Sequence, residues 1–155
     1  MTNTQDPGTH EPCLLPSSVQ RMFNSGQHAT VVTVNPDGTP QLSMVWIGLD
    51  GNDLIFGAEQ RRRKIRNLQR DPTVAVLVQD TERAANGLVQ YLTVRGRATI
   101  TGPGIPQEFN ALMDGAAKRY LGTDIYPMPN RGSTTAVIVR IRPDRIGGVG
   151  PWAAT

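Results

Sequence analysis

The sequence predicts a mainly β domain: six strands joined by short turns into a closed or nearly closed antiparallel barrel, with short flanking helices. Three observations point there. Runs rich in β-branched residues, such as ATVVTV at 29–34 and TTAVIVRIR at 134–142, recur between turn signals. Regular alternation of strands with long helices is missing, which argues against a parallel α/β sheet. Neither a G-x-G-x-x-G nor a phosphate-loop signature occurs.

Taken in order, residues 1–12 are rich in Thr, Pro, Gly and Asp and read as a disordered tail, leaving 13–155 as a single domain. Ser17 or Ser18 would cap a short helix to about Asn24, closed by Gly26. The first strand is 29–34. Asn35-Pro36-Asp37-Gly38 then turns the chain, because proline presets one dihedral and glycine accepts a positive one. Residues 41–49 (QLSMVWIGL) return as the second strand, Asp50-Gly51-Asn52 turn again, and 53–58 form the third. A basic helix follows and stops at Asp71-Pro72, since a residue before proline is pushed out of the helical region. Residues 73–79 are the fourth strand and 81–87 a polar link. Residues 88–101 are a long fifth strand in which Gly96 marks a bend or bulge. Ile105, Phe109, Leu112, Ala116 and Tyr120 lie at helical spacing, and Gly122 ends that helix. An irregular stretch at 124–133 leads to the sixth strand, 134–142, and a Gly-rich tail reaches Pro151-Trp152.

The charge is local. Net charge is +3, yet six of the sixteen cations fall within 61–70, and the other ten are outnumbered by thirteen acids. A nucleic-acid binder spreads basicity along a face and interleaves it with aromatics, which make up only 5% here, so no nucleic-acid partner is expected. The single Cys13 allows no internal disulfide, and no metal site is expected. No apolar run approaches the ~18 residues of a membrane span. The N-terminus lacks the pattern of a secretory signal, and a cytoplasmic protein is the expectation.

The basic helix is the unusual element. Arg61, Arg62, Arg63 and Lys64 fall at its start, where the macrodipole is already positive and exposed cations each cost up to about 1 kcal/mol. Free backbone N–H groups joined by Arg and Lys form a phosphate site, which would offset that cost. A solvated charge run is the other reading. Acid–base chemistry is poorly supplied: the histidines are His10 and His28, and the carboxylates sit mostly in turns. An enzyme of this kind would leave the hard step to a cofactor. On the strand at 41–46, Gln41, Ser43 and Val45 share one face and Leu42, Met44 and Trp46 the other. The polar face either meets a polar ring edge or simply meets water while the apolar face packs the core.

The run GTPQLSMVWIGLDGNDLIFGAEQRRRKIRNLQRDPTVAVLV, followed by YLTVRGRATI, resembles the pyridoxamine 5′-phosphate oxidase-like split-barrel superfamily. The likeness covers roughly residues 29–145. Its densest part is Lys64 with Arg66-Asn67-Leu68 and Arg70-Asp71-Pro72, and it is strongest toward the actinobacterial flavin/deazaflavin oxidoreductases that use coenzyme F420. The resemblance implies an FMN-binding type of split barrel. It also implies a homodimer with cofactor sites at the interface and hydride transfer between reduced deazaflavin and an unsaturated organic substrate. Carried over by position, Arg62, Arg63 and Lys64 would hold the cofactor phosphate. Phe56 to Ala58 would run beside the cofactor chain, Gln41, Ser43 and Val45 would line the ring, and Gln90 would touch the cofactor. Tyr126 and Trp152 would either close a neighbour's site or anchor within their own subunit. F420 is the expected cofactor because Arg61, Arg66 and Arg70 add charge for its acidic tail, with FMN the alternative. A non-catalytic flavin or tetrapyrrole carrier, and a protein that uses the 61–70 patch for nucleic acid or another anionic partner, are the competing functions. The Arg-x-Val-Leu opening of the pyridoxamine oxidases is missing, so their substrate is not carried over.

Overall fold

One long expected strand is two, and the break between them sets the architecture. The computed structural model describes residues 13–153, so the expected tail at 1–12 lies outside the described residues. Its strands are β1 (Ala29–Val34), β2 (Pro40–Val45), β3 (Gly48–Asp50), β4 (Asp53–Glu59), β5 (Thr73–Arg83), β6 (Val89–Thr101) and β7 (Ala136–Val149). They form a single seven-stranded sheet in the order β2-β1-β5-β6-β7-β4-β3, with every pairing antiparallel. The expected count of six is therefore corrected to seven. Residues 41–49 leave the sheet at Trp46 and Ile47, because β2 is one edge of the sheet and β3 is the other. Val45 and Ile47, on either side of the break, share one buried core with Leu54, Val76, Val94 and Val139 from the remaining strands. A sheet whose two edges meet the same core must curl around it, which makes this an open, split barrel.

Three helices attach to it: α1 (Ser17–Phe23), α2 (Arg63–Arg70) and α3 (Pro106–Leu121). Pro16, not a serine, takes the N-cap position of α1 and makes no side-chain cap. Val19, Met22 and Phe23 of α1 close the same core, while Arg21 reaches the β5 residue Asp80. The short α2 inserts Ile65 and Leu68 into that core. Helix α3 lies apart, with Phe109, Met113 and Ala117 in a second small cluster with Tyr126 and Ala136, against which Trp46 packs.

Two strands outrun their expected ends. Strand β5 continues through residues expected as a polar link, and only 84–87 turn. Strand β7 absorbs the Gly-rich tail, because Tyr91 to Arg95 of β6 offer it a pairing edge. Gly148 permits this approach: its φ is +104°, and a Cβ there would lie 2.1 Å from the Tyr91 carbonyl oxygen. The bulge expected at Gly96 is present as a register shift between Arg95 and Gly96, where a Cβ would meet the Arg142 carbonyl oxygen at 2.3 Å.

Candidate functional site

A cavity of about 410 Å³ opens where the broken strand, the start of α2 and the segment after α3 converge. Met44, Val45 and Trp46 come from the break, Gly57, Ala58 and Glu59 from the end of β4, and Arg62 and Lys64 from the approach to α2. Met113, Tyr126, Met128 and Asn130 complete the wall. Close succession along the chain brings the end of β4 and the start of α2 together, and the β2–β3 break contributes to the same wall.

The two cations of the wall are not paired with an acid among the described residues. Helix α2 begins at Arg63, so Arg61 and Arg62 precede it, and the N-cap Arg62 is extended (φ −64°, ψ 143°) with no side-chain cap. No acid lies in its first turn. Among the described residues neither the Arg62 nor the Lys64 side chain has an ion-pair or hydrogen-bond partner. Burial, and then repulsion from Arg62, pushes the Lys64 ammonium below the ordinary lysine range. A phosphate would relieve both effects at once. Arg61, Arg63 and Arg66 are exposed and do not line the cavity. Arg70 lies at the far end of the helix, bonded to the Val34 carbonyl oxygen and, at 3.4 Å, to Asn67 Oδ1. The three cations expected to favour an acidic tail are thus absent from the cavity wall: Arg61 precedes the helix, and the helical turn carries Arg66 and Arg70 away from Lys64.

Another part of the wall is aromatic. Trp46 stacks on Tyr120 (5.3 Å, 9°) and meets Tyr126 edge-on at 6.0 Å. Tyr126 donates its hydroxyl proton to Asn130 Oδ1 at 2.8 Å, and Asn130 Nδ2 donates to Glu59 Oε1 at 3.2 Å. Thr135 Oγ1 donates to Glu59 Oε2 at 2.7 Å. Burial pushes the Glu59 carboxyl up, but the hydrogen bonds from Thr135, Ser133 and Asn130, and the charge of Arg61, outweigh it and leave it below the usual range. Burial raises the Tyr126 phenol above its ordinary value.

Of the residues singled out from sequence, Val45, Ala58, Arg62 and Lys64 meet in this cavity. Gln41 and Ser43 do not line it. They pair with Thr33 and Val31, both fully buried, and so face the barrel interior, where the Ser43 hydroxyl is buried without a partner. The apolar face of this strand does not pack the core: Leu42 and Met44 are 59% and 68% exposed. Phe56 is 1% exposed within the core, so only its backbone could run beside a ligand. Arg63 points to solvent, and Gln90 is buried on β6 away from the cavity wall. Trp152 is anchored in its own chain, its Nε1 donating to the Tyr91 and Gly147 carbonyl oxygens at 3.2 and 3.1 Å. Tyr126 lines the cavity of its own chain. Sequence reasoning missed Glu59, Met113, Met128 and Asn130, and no local pattern marks them. Trp46 is legible in the sequence only as a member of the face opposite Gln41, Ser43 and Val45.

The family described as pyridoxamine 5′-phosphate oxidase matches residues 15–150. No curated protein matches the chain. Among solved structures, one described as an F420 reductase is 28% identical, with a TM-score of 0.68, covering 86% of this chain and 98% of its own. A conserved hypothetical protein of Mycobacterium tuberculosis is 23% identical (TM-score 0.70, covering 88% and 85%). A heme binding protein from Mycobacterium smegmatis is 21% identical (TM-score 0.60), covering 92% of this chain but 57% of that one. The last two likenesses speak to the fold.

Proposed function

Because the chain belongs to the pyridoxamine 5′-phosphate oxidase family, we propose that it is an oxidoreductase that uses coenzyme F420 and transfers hydride between the reduced deazaflavin and an unsaturated organic substrate. The observation that carries this reading is the pairing of two unpartnered cations, Arg62 and Lys64, with an aromatic wall in one cavity. These groups fit a ligand with a phosphate and a flat ring. Arg62 and Lys64 would hold the phosphate, the end of β4 would run beside the linking chain, and Trp46 and Tyr126 would border the ring. When bound, the deazaflavin supplies the hydride. The protein orients the ring face and excludes water, which needs the reacting atoms held about 3–3.5 Å apart. Similarity to the F420 reductase structure supports the choice of cofactor.

FMN is the second reading. With Arg61, Arg66 and Arg70 off the cavity wall, the phosphate-binding pair accommodates either cofactor. We place the reaction in the cytoplasm and in a homodimer. Met44, Thr30 and Leu77 form one row across β2, β1 and β5, with Leu42, Val32 and Ala75 in the next. Leu42, Met44 and Leu77 are exposed there, Met44 also lining the cavity, and a second copy of the chain would cover them.

Titrating the purified protein with F420 and with FMN, read by fluorescence quenching and anisotropy, tests the proposal. Tight binding of F420 is expected, and reduced F420 should then be oxidised to F420 as it passes hydride to a quinone, enone or tetrapyrrole acceptor. Binding of neither cofactor ends the oxidoreductase reading, and binding without turnover leaves a carrier.

A further inference from the structure

We propose that Tyr126 determines specificity in this cavity, its phenol oxygen accepting a hydrogen bond from an N–H on the edge of the bound ring. The inference rests on reading the cavity as a cofactor site, and it follows from a chain of hydrogen bonds that has one solution.

Glu59 begins the chain. Its carboxylate is ionised and can only accept, and Thr135 already occupies Oε2. The Asn130 amide atom 3.2 Å from Oε1 must therefore be the donor, Nδ2. A planar amide then presents Oδ1 on its other branch, and Oδ1 lies 2.8 Å from the Tyr126 hydroxyl. An amide oxygen has no proton to give, so the phenol proton must lie on that line. What Tyr126 has left is lone pairs. The residue lines the cavity beside Trp46 as an acceptor and cannot act as a donor without breaking the chain.

That acceptor is held in place before any ligand arrives. The Tyr126 ring is met edge-on by Trp46 at 6.0 Å and Phe109 at 6.3 Å. Its backbone N–H donates to Asp114 Oδ1 at 2.8 Å, and Asp114 is paired with Arg131 at 2.7 Å. A hydrogen bond made to a pre-oriented group loses little entropy on binding. Deazaflavins and flavins share a pyrimidinedione edge with one ring N–H between two carbonyls, which is the donor such an acceptor selects. A ring offering only acceptors there would leave the phenol oxygen unsatisfied.

The test compares wild type and Tyr126→Phe, using whichever of F420 and FMN binds, together with its N3-methyl derivative. Tyr126→Phe should weaken the parent cofactor by about tenfold, the order of one net hydrogen bond. It should leave affinity for the methylated ring unchanged, a pattern that a merely structural loss does not produce. Thermal unfolding of the variant checks that it folds. Should it not fold, Asn130→Ala, which frees the phenol proton to rotate and so unfixes the acceptor without removing it, should weaken the parent ring by less than tenfold and leave the methylated ring unchanged. Equal losses for both rings, or no loss for the parent, overturn the proposal while leaving the cofactor reading intact. A wild-type protein that binds neither cofactor removes both.

Discussion

The hydroxyl of Tyr120 accepts the amide N–H of Ile47 at 3.0 Å, where the chain crosses from one sheet edge to the other. The same oxygen lies 2.6 Å from the Gln27 carbonyl oxygen, to which it donates, and 3.1 Å from that of Ile47. Backbone groups freed by the strand break thus find their partner on α3, and Trp46 stacks on the ring that supplies it.

Tyr120→Phe keeps the stack and removes the partner. Leaving the Ile47 N–H and Gln27 carbonyl unsatisfied should cost about 2 kcal/mol. Urea unfolding should show a lower midpoint with an unchanged slope.

Asn67 ties α2 to the barrel. It is 1% exposed, and its Nδ2 donates to Thr33 Oγ1 at 3.1 Å and Asn35 Oδ1 at 3.0 Å. Asn67→Leu buries those acceptors unpaired and should destabilise by roughly 2–3 kcal/mol. Because α2 carries Lys64, cofactor affinity should fall as well, which calorimetry on the folded variant would measure.

Arg21 makes a two-pronged contact with Asp80, at 3.2 and 2.7 Å, and the Asp80 side chain is fully buried. Burial would raise the Asp80 carboxyl. The Arg21 hydrogen bonds and the Glu82 and Thr81 amides outweigh that and hold it below the usual range. A depressed folded value means stability that is present above the unfolded pKa of ~3.9 and lost as pH falls through the folded one. Arg21→Ala should cost about 2–3 kcal/mol at neutral pH, less than for a fully buried pair because Arg21 is partly exposed. Part of the wild-type loss of stability below about pH 4 should disappear in this variant. Thermal melts across pH would show both.

Arg62→Ala with Lys64→Ala should weaken cofactor binding by several kcal/mol, at about 1.5–3 kcal/mol per charged hydrogen bond. Lys64 also sets a pH dependence. Its folded value is lowered by burial, and a bound phosphate would raise it again. Affinity should therefore be full below the lowered value and decline as pH rises through it, starting below the ~10.4 of an ordinary lysine. Lys64→Arg should move that decline to higher pH. Unchanged affinity in the double variant would place the phosphate elsewhere.

Met44→Asp puts a charge into the exposed apolar row beside Thr30 and Leu77. Sedimentation of the wild type should give a dimer, and the variant should dissociate with little change in monomer folding, since position 44 faces away from the core. A monomeric wild type would contradict the assembly proposed above.

Much of the barrel was legible because strands and turns are written locally. Asn35-Pro36-Asp37-Gly38, the bulge at Gly96 and the stop at Asp71-Pro72 all lie within a few residues of what they control. The cations around the start of α2 were legible for the same reason, and two of them, Arg62 and Lys64, reach the cavity. Which face of 41–46 turns inward was not legible, since an alternating strand reads equally well with either face buried.

By itself, the sequence determined a β-rich chain with a basic helix entered directly from β4, because periodicity and turn chemistry act over a few residues. Only the tertiary structure decided where residues 41–49 break and which residues meet in the cavity. Curling a sheet until its two edges share one core is a non-local event. It frees backbone groups at Ile47 that Tyr120 must satisfy, and it brings Tyr126 and Asn130 to Glu59 from some seventy positions away in the chain.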